Sequence, residues 1–328
     1  MPMIIEGLQP LRMTGGQFVS LAWALKSALA KLRDDYDYDF INGILGGAFM
    51  IQASPDEECK AWWTTGNQAV YLEFASRAFG VPMRRIPEGF AYPRDIEAFL
   101  ADPEAFFTEH IEEPLAESLE MGIPVIAQGC FGGFRAGHWS IIAGAKGDAL
   151  VGLPVMAEAY EASEDLPWQI IVLGEPGEEP DPAPFVREAL SHAIELYENK
   201  APSDPGWITG MPAWDKIIKG LDQDPFCEAC GPDSHSCLHW IVSCAVGACL
   251  SAMHFADMAS EIMEITSPHL TEAIASWREA AEALLPLTAL ETVAALLAND
   301  RSAIAERLSR ARNAQARAAD ALRGFLSA

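Results

Sequence analysis

Apolar residues recur at helical spacing over 18–32, where Leu21, Leu25, Ala28, Leu29 and Leu32 share one face. Thr14 or Gly15–Gly16 would start that helix. The stretch 40–52 is apolar and glycine-rich, which reads as buried, close-packed backbone. A helix is expected over 67–79, with Gly80 as its stop. Two more are expected over 96–100 and 106–121. The period then shortens. Short apolar strands are expected at 124–127, 139–143, 149–153 and 168–173, and the glycine-rich run 129–137 joins the first two. Beyond 184 the helical period returns, predicting helices over 185–198, 211–221, 237–266, 270–285, 290–298 and 302–326.

Helices followed by strands within one domain argue for an α+β class. The acidic, proline-rich run 176–184 reads as an exposed, extended linker. The expected organisation is an α+β domain over 1–175, that linker, and an all-helical domain over 185–328.

Charge narrows the partners. Lys and Arg total 22 against 47 Asp and Glu, a formal net charge of -25 over 328 residues. That field repels nucleic acid and anionic membrane, so neither is an expected partner. The start Met1-Pro2-Met3-Ile4-Ile5-Glu6 does not resemble a signal peptide. The most apolar run, 238–252, is interrupted by His239, Ser243, Gly247 and Ser251, so no membrane span is expected. Seven cysteines, five of them between Cys227 and Cys249, do not form a spread-out disulfide framework. A reduced, cytoplasmic protein is expected.

Two constellations carry candidate chemistry. In the first, His138 follows the glycine-rich loop and opens a strand, with Cys130 and Gln128 just upstream. A Cys130–His138 dyad is one reading; a backbone-bonded histidine and a small buried thiol is the other. Ser20 is a weaker candidate nucleophile. Trp62, Trp63, Tyr71 and Phe131 would line a pocket or fill a core. In the second, Cys227 and Cys230 stand two residues apart in a turn, and Cys237 with His235 or His239 would complete a tetrahedron around zinc. Plain packing of small side chains, or a redox dithiol, would use the same cysteines. Cys59 reads as core, and Cys237 is expected to be aimed away inside the following helix. No cofactor and no stoichiometric metal are therefore expected. A phosphate loop, a His-Glu-x-x-His motif and a Gly-x-Ser-x-Gly elbow are all absent from the sequence.

Several segments resemble the papain-like, C39-like group that includes the butirosin-biosynthesis H-type N-terminal domain. Gln17-Phe18-Val19-Ser20-Leu21-Ala22-Trp23 is similar to that group's nucleophile helix, and Gly137-His138-Trp139-Ser140-Ile141-Ile142-Ala143-Gly144 to its histidine strand. The runs 37–49, with Gly43, Gly46 and Gly47, and 122–126, with Gly122 and Pro124, also match its pattern, as does 210–215 at a helix start. The resemblance implies a papain-like cysteine-hydrolase domain with a helical half, His138 as base and Gln17 as oxyanion donor. It supplies no nucleophile, because Ala22 stands at the cysteine position, and no orienting acid, because Leu153 stands there. The expectation is a non-catalytic protein that binds a small molecule or peptide around Gln17, Ala22, Trp23, Gln128 and Trp139. Two alternatives stay open: a thiol hydrolase or acyltransferase using Cys130 and His138, and a metal-binding protein built on Cys227, Cys230, Cys237 and His239.

Overall fold

The structure, a computed structural model, describes residues 4–54, 59–61, 67–90, 94–132, 137–201 and 207–328. In chain order the elements are α1 (Ser20–Leu32), α2 (Tyr38–Ile44), β1 (Gln52–Ala53), α3 (Leu72–Phe79), β2 (Met83–Ile86), α4 (Arg94–Ala101), α5 (Pro103–His110), α6 (Glu112–Glu120), β3 (Val125–Gln128), β4 (Trp139–Lys146), β5 (Ala149–Leu153), β6 (Glu161–Ser163) and β7 (Gln169–Leu173). There follow α7 (Pro182–Tyr197), β8 (Ile208–Thr209), α8 (Gly210–Gly220), α9 (Ser234–Ile262), α10 (Pro268–Leu284), α11 (Leu290–Asn299) and α12 (Arg301–Ser327). The chain is mixed α+β with a helical second half.

The chain divides into two units. One comprises Met1–Thr14, Val19–Ile41 and Tyr71–Pro180; the other comprises Gly15–Phe18, Asn42–Val70 and Asp181–Ala328. One cut falls after Pro180, inside the proline-rich run 176–184. The inclusion of Asn42–Val70 with the helices departs from a single-cut organisation: β1 pairs with β8, setting Gln52 opposite Thr209.

In the first unit, six strands form an antiparallel sheet in the order β2-β7-β3-β4-β5-β6. Helix α1 packs on β3 and β4, and α6 on β3 and β7. The central strands are buried along nearly their whole length, so they read as unbroken apolar runs. Strands β2 and β6 carry no such run. They are the two edges of the sheet, where arginine and glutamate reach water and blunt the unpaired backbone. At Gly152 an added Cβ would lie 1.9 Å from the Ile141 carbonyl oxygen, so β4 and β5 approach closely only with glycine there. The helix expected over 106–121 is two helices. Pro114 has no N–H to bond the His110 carbonyl, and the chain restarts at Glu112. The linker is less free than its composition implies: Gly177 N–H donates to the Gly80 carbonyl at 2.8 Å, just after Gly174 N–H donates to the Pro82 carbonyl at 2.8 Å. Helix α7 begins at Pro182, three residues ahead of expectation, with Asp181 as its cap accepting from Ala183 N–H at 3.0 Å.

In the second unit, the 29-residue α9 lies against α10, α11 and α7. By length and composition it could cross a bilayer, but 67% of its most apolar window is buried, as suits a central helix. Trp214 and Trp277 are fully buried, and each indole N–H is satisfied at 2.7 Å, by Gln315 Oε1 and Tyr197 Oη respectively. A Cβ at Gly247 would meet the Gly16 carbonyl oxygen at 1.9 Å, and one at Gly43 would meet the Phe255 ring at 2.1 Å. Both glycines let backbone approach α9 directly.

Candidate functional sites

In the sheet-containing unit, α1 begins at Ser20, two residues after the sequence start of its periodic pattern. Val19 precedes it and gives its N–H to Tyr38 Oη at 3.0 Å, and Trp23 packs on the Tyr38 ring with centroids 5.1 Å apart. Ser20 Oγ accepts the Trp139 backbone N–H at 3.0 Å. The first turn of α1 is thereby tied to the residue after His138. Ala22 is fully buried in the same helix and offers only a methyl group. Gln17 lies in Gly15–Phe18, which groups with the other unit.

Gln128, at the end of β3, is a structural pin. Its Nε2 donates to the Gly137 carbonyl at 2.7 Å, and its Oε1 accepts from Trp168 Nε1 at 3.3 Å and from Gln169. Gln169 Oε1 in turn accepts from Arg85 Nε at 2.6 Å. This relay of buried amides fixes the peptide just before His138. His138 is half-buried, and burial lowers its pKa below the ordinary histidine value, favouring the neutral ring at pH 7. Cys130 is 1% exposed, and burial pushes its thiol far above the usual range. It has no thiolate character with which to act. Leu153 is buried on β5 opposite Ile141, an apolar contact in place of a carboxylate. Tyr71 and Phe131 are core residues, while Trp62 and Trp63 lie outside the described residues, as do 133–136 of the glycine-rich loop.

The second constellation forms a compact cluster within the helical unit. The sulfur atoms of Cys59, Cys227, Cys230 and Cys237 all lie within 4.8 Å of one another. Cys59 Sγ is 3.3 Å from Cys230 Sγ and 3.8 Å from Cys237 Sγ. Cys227 and Cys230 sit on a tight turn: the N–H groups of Cys230 and Gly231 return to the Cys227 carbonyl at 3.2 and 3.0 Å, and Gly231 adopts a φ of +54°. A 3-10 turn over Gly231–Asp233 leads into α9, which carries Cys237 as its fourth residue. Cys237 is thus inside the helix, as expected, yet it is not aimed away.

Cys59, expected in the core, takes the fourth position of the cluster in place of His235 or His239. His239 is not among the converging groups; its Nδ1 is buried with no hydrogen-bond partner among the described residues. His235 Nδ1 lies 3.3 Å from the Pro232 carbonyl. Around the cluster, Lys60 Nζ donates to Gln223 Oε1 and to the Phe226 carbonyl, both at 2.7 Å. Arg301 donates to the carbonyls of Leu221 (3.0 Å) and Gln223 and to Asp224 Oδ1 (2.8 Å). The segments that bring Cys59 and Cys227 together are therefore pinned independently of the sulfur atoms.

Electrostatics within the cluster are uneven. The hydrogen bond from Cys237 pulls the Cys59 thiol down to about 5, aided by the Ala61 backbone N–H and the other cysteines. Burial, then Cys59 and Cys227 beside it, pushes Cys230 up to about 12. Cys237 is raised first by its bond to Cys59 and then by burial. One thiolate is easily held, and further ones repel it unless a cation sits between them.

A separate groove in the same unit, about 730 Å³, is lined by α8 and α12 residues including Asp215, Arg301 and Arg312. Its Arg312 is bound to both oxygens of Asp215, at 2.6 and 3.0 Å. No protein-family model matches this chain, and no curated protein matches it either.

Proposed function

We propose that the sheet-containing unit is a papain-like scaffold that works without thiol chemistry and binds a small molecule or a peptide beside His138. The observation that supports this reading most is the Ser20 Oγ–Trp139 N–H bond, which joins a helix start to the strand entered by a histidine. A papain-like arrangement needs that pairing. The thiol is what is missing: Ala22 is inert, and Cys130 is buried with its proton firmly held. A neutral, half-buried imidazole on a loop fixed by Gln128 can give or accept one hydrogen bond to a ligand.

The test is a ligand screen by thermal shift, followed by NMR of the His138 imidazole in the full chain, together with an ester and peptide turnover assay. Ligands that perturb the His138 resonance and lose binding in His138→Ala, with no turnover, support the reading. Turnover abolished by Cys130→Ser would establish the thiol-hydrolase alternative, and turnover abolished by Ser20→Ala would establish a serine enzyme. Either result overturns the proposal.

A further inference from the structure

We infer that Cys59, Cys227, Cys230 and Cys237 together bind one zinc ion as a closed, structural tetrathiolate site. Four thiolates at about 2.3 Å from a tetrahedral zinc stand about 3.8 Å from one another. The observed separations of 3.3 and 3.8 Å, with every sulfur pair inside 4.8 Å, bracket that value. A disulfide needs about 2.05 Å and uses two sulfurs, leaving the other two unexplained. Iron–sulfur clusters bind their thiolates to different irons, which spreads them more widely than this cluster allows. Simple packing does not account for it either, because Cys59 and Cys230 are half-buried and gain little by turning sulfur toward sulfur.

The ligands come from two distant parts of the chain. Cys59 and Cys230 are 171 residues apart. Cys59 belongs to Asn42–Val70, the segment of the early chain that joins the helical unit. Zinc here would fasten that segment to the turn before α9. Lys60, next to Cys59, donates to the Phe226 carbonyl, next to Cys227, and so holds the two sides together, while Arg301 fixes the connection at Leu221. Cys237 in the first turn of α9 also places the positive end of the helix dipole toward the thiolates. With four protein ligands no coordination position remains for water or substrate, so the ion stabilises and does not catalyse.

The experiment is elemental analysis of the full chain purified without chelator, alongside Cys59→Ser, Cys230→Ser and His239→Ala. One zinc per chain is expected for the wild type and for His239→Ala, with loss of stoichiometric zinc in both cysteine variants. Should a cysteine variant fail to fold, cobalt exchange into the wild type gives an independent readout: intense sulfur-to-cobalt charge-transfer bands and tetrahedral ligand-field bands. Chelation should lower the unfolding midpoint by on the order of 10 °C. Metal-free protein with an unchanged midpoint in chelator overturns the inference. So does a Cys59–Cys230 disulfide in freshly purified protein, iron in place of zinc, or zinc that survives Cys59→Ser and is lost in His239→Ala.

Discussion

At the scale of single residues, burial decides which polar groups are available. Cys130 is adjacent to the His138 loop in sequence but is sealed from water and holds its proton. In native protein at neutral pH, iodoacetamide should leave Cys130 unmodified, with labelling appearing on unfolding; mass spectrometry of the Cys130 peptide reads both states. Rapid native labelling would contradict the burial. His138 gives a second prediction with a fixed sign. Its folded pKa is lowered by burial, so the fold favours the neutral ring. That contribution is fully present above the unfolded value of about 6.5 and is lost as pH falls through the folded value. Denaturant midpoints should therefore drop on acidification below about 6.5, and His138→Gln should flatten part of that slope. The sequence marked His138 and Gln128 as noteworthy. It could not tell that Gln128 spends its amide on Gly137, Trp168 and Gln169. That role depends on which strands become neighbours, and β7 lies beside β3 only in the folded sheet.

At the scale of elements, close backbone approach sets the second unit's tolerance for change. Gly247→Ala puts a methyl group against the Gly16 carbonyl oxygen, which cannot rotate away, and should destabilise the fold by about 1–3 kcal/mol. Gly43→Ala meets the Phe255 ring and should cost a comparable amount. Urea unfolding of the two variants checks both; a wild-type midpoint for Gly247→Ala would contradict the close packing. The long helices and central strands were legible because their apolar periods match their burial, as in α12, where Ile304, Leu308, Ala311, Ala318 and Leu322 are all buried. Edge strands β2 and β6 were not, since half-solvated pairs carry no apolar run. His239 was a natural candidate ligand by spacing, yet two residues along a helix turn a side chain by about 200°, away from Cys237.

At the scale of the whole chain, the helical unit is closed by long-range contacts that spacing cannot reveal. The Cys227-x-x-Cys230 turn is visible in the sequence, while its partner Cys59 lies 171 residues from Cys230, a lone cysteine between Asp56-Glu57-Glu58 and Lys60. Only folding brings Asn42–Val70 beside the start of α8, through β1 with β8, and beside the α8–α9 connection, through Lys60 with Phe226. Removing zinc should consequently loosen Asn42–Val70 and the start of α9 together, with amide exchange in both segments rising on chelation and little change in α12. Exchange that rises in only one of the two would contradict a shared metal link. The most direct measurement is X-ray absorption at the zinc edge of the purified full chain. Four sulfur scatterers at about 2.3 Å are predicted. A first shell containing nitrogen or oxygen, or no bound zinc to measure, would contradict the tetrathiolate site.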